Sequence, residues 1–420
     1  MANSFEISDL VARCGAFFTT DSTFLATADR SYEGQFTQKT YEPGNTISYR
    51  KANRGYLQRG KSLGGTSPIQ DRIETMTILP QFSEFVEYID TDPSRFIHDF
   101  EERVARPAAQ DILQGMNREI ASGAIGKLTH HTPVVSGNLS SYSNISSVIT
   151  LLRKMRATGS EIYLALANDD ANSLRNSLSD SFNTPINTEI LRSATLGSLS
   201  GMTFFEENDI AAFVNQDDLS AVTNVQVKVD VPLDVLGTST ITLKGLPANT
   251  YIDKGTILDF PTYFWVDAYR SPLTVTYSNT VAVDAQADGA GDVTLTLSEP
   301  ITPATLLTTV SNVDRQIVAD SYVSLIWKYV GNIAYSKFGL HVATPPLPAL
   351  RGIESSTLMP MVKKTSKQDV LTRVDSLRLS LDSDLAESNT AWRLDAEMAF
   401  SYDTDFCCLA LSNASATTTP

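Results

Sequence analysis

From Asp92 to Ile125, apolar residues recur every three or four positions: Ile97, Phe100, Val104, Ala108, Ile112, Met116 and Ile120. That spacing lines one face of an α-helix. Glu101, Glu102, Arg106, Asp111, Arg118 and Glu119 fall on the other face. Asp92 and Pro93 suit the start, because a carboxylate accepts orphan amide protons and proline has no amide to leave unpaired. Pro107 interrupts the run, since it cannot donate to the preceding turn and its ring crowds it, so a kink or break is expected there. An amphipathic helix alone is ordinary core material. Its setting is more informative, with a long polar, β-prone stretch before it and strand-rich sequence after it.

The chain of 420 residues is long enough for about two to three domains with real cores. Its formal charge of -15 argues against broad contact with phosphate, a mode that needs lysine and arginine to release counterions. Cys14, Cys407 and Cys408 make no disulfide framework, as expected of a reducing compartment. With no basic leader before an apolar segment and no apolar run of about 18 residues, the expectation is a soluble protein without membrane contact.

Before the helix, Phe5, Ile7, Leu10, Val11, Cys14, Phe17 and Phe18 give residues 5–18 an apolar helical face with no local partner, which reads as an arm that packs elsewhere. Residues 30–71 are polar and glycine-rich, with a turn at Pro43-Gly44-Asn45 and a short strand at Thr46–Tyr49. They read as an extended hairpin without its own core, and they carry Arg50, Lys51, Arg54, Arg59 and Lys61, with Arg72 just beyond. In an acidic chain such a basic loop is either solvated surface or reaches for an acidic partner. Residues 71–90 read as strand.

After the helix, 130–147 reads as loop, 148–155 as helix, 161–167 as strand, 170–182 as helix and 199–205 as strand, an α/β alternation. From Val222 the texture turns to strands: the alternating Val225–Val231, then 240–243, 255–260, 264–269, 273–277 and 293–297, which suggest a small barrel or sandwich. Val318, Tyr322, Leu325, Ile326 and Tyr329 have the spacing of one short helix. Alternation at 377–381 and 392–402, a turn at Asp403-Thr404-Asp405 and a strand at 406–411 close the pattern, with 412–420 expected as an unstructured tail.

One motif proposes chemistry. Gly55-Tyr56-Leu57-Gln58-Arg59-Gly60-Lys61-Ser62 matches the phosphate-cradling GxxxxGK[ST], which works when a buried strand precedes it and a helix starts at the lysine. Here polar 49–54 precedes it and Leu63-Gly64-Gly65 follows, so a P-loop nucleotide-binding protein using Gly55–Ser62 is the weaker alternative. Leu199 stands where a Gly197–Gly201 nucleophile elbow needs serine. His130 and His131 are neighbours expected in a surface loop, and Asp284, Asp288 and Asp292 miss the calcium-loop spacing and read as a hairpin turn. No catalytic residue, no metal site and no cofactor is expected.

Taken in order, these parts resemble the major capsid proteins of tailed bacteriophages with the Hong Kong 97-like fold, above all short-tailed phage coat proteins with an inserted β-barrel. The resemblance rests on the arm, the loop around Asn45-Thr46-Ile47, the helix of 92–125, the strand and polar turn of Ser160–Asp170, and the strands Ile241–Leu243, Asp253–Ile257 and Gly291–Leu295. It implies an α+β fold: arm 1–29, extended loop and flanking strands 30–90, spine helix and peripheral part 91–147, apical part 148–222, inserted all-β barrel and return 223–343, antiparallel return 344–411 and tail 412–420. It implies a structural, non-enzymatic role in which copies close into hexamers and pentamers of an icosahedral head around double-stranded DNA, without sequence-specific binding. Scaffolding and portal proteins are the implied partners, and the virion capsid, assembled in the host cytoplasm, is the implied location. Phe5, Leu10, Phe17, Phe18, Arg50, Lys51, Arg54, Arg59 and Lys61 are then the subunit-interface candidates, the basic ones meeting acidic groups of a neighbour. A β-rich binding or decoration module is the third class, and it requires that 222–343 fold alone.

Overall fold

The computed structural model describes residues 14–15, 23–32, 44–51, 72–88, 106–155, 161–181, 198–199, 201–222, 227–233, 237–267, 271–306, 311–345, 347, 354–358, 361–365, 368–372, 377–384 and 389–417. The chain forms two compact units, each drawn from separated stretches. Met1–Tyr49, Thr75–Ile120 and His341–Ser401 make the first; Arg50–Glu74, Ala121–Leu340 and Tyr402–Pro420 make the second.

The second unit is organised around the strand Ser324–Ser336, whose residues are buried on both faces for most of its length. A strand covered on both sides loses the period-two alternation that identifies it in sequence. That is why Leu325, Ile326 and Tyr329 could be counted with Val318 and Tyr322 as a helical spacing; from Ser324 on, the segment is the central strand instead. One edge takes in turn Ile257–Asp259, Ala212–Val214 and Ile162–Ala165. Cys407–Ala416 runs antiparallel along the other edge. Ser412–Ala416, expected as tail, therefore belong to a strand, and Thr417 Oγ1 accepts from the Leu325 amide at 3.0 Å.

This eight-stranded sheet runs from Pro272–Thr280 through Ile257–Val266, the central strand, Ile162–Leu166 and Met202–Glu206 to Ser198–Leu199. Two expected strands at 255–260 and 264–269 are one, Ile257–Val266, with a register shift between Phe260 and Phe264. Residues 223–343 are expected to hold an inserted barrel and a return to the apical part. The hairpin 257–280 is laid onto the sheet that holds Ile162–Leu166, and Val293–Ile301, Thr238–Lys244 and Lys228–Val229 form a three-stranded sheet that shares one apolar core with it. A doubly buried strand needs partners on both edges, and it recruits them from both sides of the supposed boundary.

Ile162–Leu166 runs parallel to Met202–Glu206, and the helix Asn168–Ser181 lies between them in sequence, the crossover that a parallel pair requires. Asp170, in the first turn of that helix, is buried and accepts from the Leu139 amide at 2.8 Å, from Asn332 Nδ2 at 2.7 Å and from the Ser412 hydroxyl. The carboxylate thus ties the helix to the central and C-terminal strands. The helix Tyr142–Lys154 begins earlier than its apolar run suggested, because Ser141 caps it by accepting from the Asn144 amide, and Arg153 and Lys154 complement its far end. At Asp288 the carboxylate accepts from the amides of Ala290 and Asp292 and so holds the turn 288–292, while Asp284 accepts from the Lys254 amide at 2.6 Å.

In the first unit, Thr46–Tyr49 alternates, with Ile47 and Tyr49 inward, and forms a small core with Met76, Ile78, Ala343 and Ala399. Asp29 bridges to His341: the Val342 amide donates to the Asp29 carbonyl at 3.0 Å and His341 Nδ1 lies 3.2 Å from Asp29 Oδ2. A second four-stranded sheet orders Glu354–Leu358, Leu377–Asp384, Asn389–Ala396 and Phe82–Tyr88. Its buried Asp395 is held by Arg378 at 2.7 Å, Arg393 at 2.7 Å and the Ser83 hydroxyl at 2.7 Å. The segment read as one run at 392–402 is two strands, broken at Glu397 and Met398.

The expected spine helix is described over Arg106–Ala124. Ala108, Ile112, Met116 and Ile120 are buried while Asp111, Arg118 and Glu119 are exposed, as their spacing required. Pro107 is the second residue of the described helix. The portion at 92–105 lies outside the described residues.

Candidate functional site

Among the described residues, the densest concentration of charge lies in the second unit, at the foot of the expected hairpin loop. Lys51 and Arg72 flank the stretch 52–71 and are joined through the backbone, the Lys51 amide donating to the Arg72 carbonyl at 2.8 Å. Their side chains turn inward. Lys51 Nζ is 2.8 Å from Glu74 Oε2 and 4.0 Å from Asp403 Oδ1, and it donates to the Thr404 hydroxyl at 3.5 Å. Lys127 pairs with the other oxygen of Glu74. Arg72 forks, with Nη1 2.5 Å from Asp405 Oδ2 and Nη2 2.9 Å from Glu299 Oε1. A guanidinium has the planar fork this demands and an ammonium does not.

Local folding places the acids. Asp403 caps the short 3-10 turn Thr404–Phe406 by accepting from the Asp405 amide, which aims both carboxylates back at the two cations. Glu299 comes from Val293–Ile301, where Asn279 accepts from the Glu299 amide at 3.3 Å and donates to its carbonyl at 2.7 Å.

The electrostatics follow from burial and pairing. Burial works against the Lys51 ammonium, but Glu74, Asp403 and Glu299 outweigh it, so its pKa lies above the ordinary lysine value. Arg72 is pushed up likewise, burial being overcome by Asp405 and Glu299. Burial tends to raise Glu74, yet Lys51 and Lys127 hold it below the usual carboxylate range. Asp403 goes the other way: burial and the neighbouring Asp405 raise it against Lys51 and Arg72. The cluster is a structural clamp on the two residues that flank 52–71. Its carboxylates are taken up by cations and leave no general base facing a cleft.

Among the interface candidates, Phe5, Leu10, Phe17, Phe18, Arg54, Arg59 and Lys61 lie outside the described residues, and Arg50 is exposed at the end of its strand. Lys51 is a correction. Expected on a protruding surface, it is 9% exposed and its acids belong to its own chain. Desolvating a lysine is tolerable only beside a counter-ion, and Glu74 supplies it two residues past Arg72. Glu299, Asp403 and Asp405 were not legible as partners, since they converge from distant stretches. The one hint was a run of acids in the turn at 403–405. His130 is also a correction: it is buried edge-on against Trp265, with ring centroids 4.0 Å apart, and not in a surface loop.

The Gly55–Ser62 motif lies outside the described residues, but its setting is visible. The strand before it, Thr46–Arg50, is the end member of a four-stranded sheet, whereas a phosphate loop leaves a buried central strand.

No protein-family model matches the chain, and no curated protein sequence does. Among solved structures it is similar to a chain from Mycobacterium phage Che8, with 11% identity and a TM-score of 0.43 over 93% of this chain and 90% of that one. It is similar to the capsid of Ralstonia phage GP4, with 10% identity and a TM-score of 0.41 over 95% and 91%. It is also similar to the bacteriophage PhiM1 mature capsid, with 7% identity and a TM-score of 0.39 over 93% and 86%. Overlaps of this size set no residue-to-residue correspondence.

Proposed function

We propose that this chain is the major capsid protein of a tailed bacteriophage, a structural subunit whose copies close into hexamers and pentamers of an icosahedral shell around double-stranded DNA. The observation that carries the reading is the clamp. Two cations, Lys51 and Arg72, and the acids that hold them are withdrawn from water at the two residues that flank 52–71. That stretch is polar and basic, with Arg54, Arg59 and Lys61 and too few apolar residues for a core of its own. Anchored flanks have value when the segment between them meets a defined surface, and in a self-assembling shell that surface is another copy. A net charge of -15 suits a wall that surrounds nucleic acid without gripping it. In this reading scaffolding and portal proteins are the assembly partners, the virion capsid is the location, and no step of catalysis is involved.

Electron microscopy and sedimentation of the purified full-length protein test it. Closed shells or ring-shaped capsomers in the megadalton range are expected. A compact monomer that persists at high concentration overturns the proposal.

A further inference from the structure

In the first unit, residues 23–32 meet the edge of a sheet at one buried pair of side chains. The strand Leu340–Ala343 is the end member of its four-stranded sheet, and Asp29 forms a parallel bridge to His341 on it. His341 Nδ1 lies 3.2 Å from Asp29 Oδ2, and the two side chains are 7% and 16% exposed. That nitrogen is shut from solvent and forms no well-aligned hydrogen bond, so charge is what can join it to the carboxylate. The carboxylate itself is fixed: Oδ1 accepts from the Ser31 amide at 3.0 Å and Oδ2 from the Ser31 hydroxyl at 3.0 Å. Tyr32 and Tyr49 stand at 75° and 66° to the imidazole, each with its ring centroid 5.2 Å away. Tyr49 is in turn held through its hydroxyl to that of Ser401 at 3.0 Å.

A neutral imidazole gives this carboxylate little. Whichever tautomer it takes, Nδ1 offers either a lone pair or a misaligned N–H. An imidazolium puts a full positive charge at the same distance, in a poorly solvated site that strengthens the attraction, and two tyrosine rings within about 6 Å also favour a cation. Burial opposes the charged ring, and a paired carboxylate is what answers that cost. Among the described residues, the titratable groups set against the imidazole are Asp29, Tyr32 and Tyr49, and none of them is a competing cation. Arg30, beside Asp29 in sequence, donates from Nη2 to the Leu25 carbonyl at 3.4 Å. Burial tends to raise Asp29, but His341 and Ser31 outweigh it and hold the acid below the usual 3.8, so it stays ionised through mild acid.

We propose that Asp29 and His341 form a proton-operated latch that holds residues 23–32 to the sheet edge at 341–343 and closes when His341 takes up a proton. Histidine changes charge between about pH 5 and 8, so the latch is closed on the acid side of that range and slackens as pH rises through it. Stronger acid, below 3.8, discharges Asp29 and opens it again. The backbone bond from the Val342 amide to the Asp29 carbonyl, 3.0 Å long, is the contact that the latch protects. Every group involved belongs to one chain, so the latch does not depend on the shell reading.

The test is hydrogen exchange of the unassembled full-length protein, read by mass spectrometry at about pH 5.5 and about pH 8 and expressed as protection factors, which remove the chemical pH dependence of exchange. With the helix Tyr142–Lys154 of the other unit as reference, peptides covering 23–32 are expected to lose protection by about fivefold from the lower pH to the higher. His341→Gln and Asp29→Asn are each expected to abolish that difference, whereas a merely structural pair would lower protection equally at both pH values. Circular dichroism checks that each variant is folded, and where neither is, the parent protein decides alone. Equal protection of the parent at the two pH values, protection that rises with pH, or a difference that survives in a folded variant overturns the proposal.

Discussion

Glu74 is the residue on which the clamp turns, because its two oxygens serve Lys51 and Lys127 separately. Glu74→Gln strands a buried ammonium, and a loss of about 3 kcal/mol is expected from the urea midpoint at neutral pH. Asp403 predicts the opposite. An acid whose folded pKa is raised binds its proton more tightly in the native state, so it withdraws stability as pH climbs from the ordinary 3.8 through the folded value. Asp403→Asn keeps an acceptor for the Asp405 amide and removes that penalty, so unfolding at neutral pH is expected to be unchanged or harder. Glu74 has the ordinary sign: its depressed pKa contributes stability above the unfolded carboxylate value of 4.5, lost as pH falls through the folded one. Urea midpoints followed from neutral pH into the acid range separate the two variants. At this scale the sequence was legible only in part. The basic residues around 52–71 stood out against an acidic chain, but the cluster that buries Lys51 and Arg72 also draws on Glu299, Asp403 and Asp405, more than two hundred residues away, and no local pattern announces them.

Among the elements, those with one wet face were read correctly. Thr46–Arg50, the helix from Arg106 and Asn168–Ser181 show their alternation or their helical stripe because one side meets water. Ser324–Ser336 shows neither, being buried on both sides, and Ser412–Ala416 is too polar to look like a strand although its backbone completes one. Ending the chain after Leu411 removes the Ser412 hydroxyl from Asp170 and the Thr417 hydroxyl from Leu325. Differential scanning calorimetry is expected to show Tm lower by at least about 5 °C. A turn offers a sharper case. Gly291 has φ +87°, and a Cβ there would sit 2.0 Å from the Leu246 carbonyl oxygen. Gly291→Ala is expected to cost about 2 kcal/mol or more, read from the same denaturant curves.

For the whole molecule, the two units exchange the chain repeatedly, so neither is a contiguous piece that can be cut out. Residues 222–343 expressed alone are expected to lack cooperative unfolding, since Ser324–Ser336 would lose Cys407–Ala416 from one edge and Ile162–Leu166 from the other. A stable, cooperatively melting fragment would instead favour an autonomous binding module. The same strand has a consequence in time. When Ser324–Ser336 leaves the ribosome, the partner for one whole edge lies about seventy residues further along and takes on the order of seconds to synthesise. In that interval a nascent polypeptide bares a row of amides and carbonyls in a cell making many identical neighbours. Crowded translation of such a message therefore invites mispairing between siblings, and dependence on a cellular holdase during synthesis is the outcome to look for.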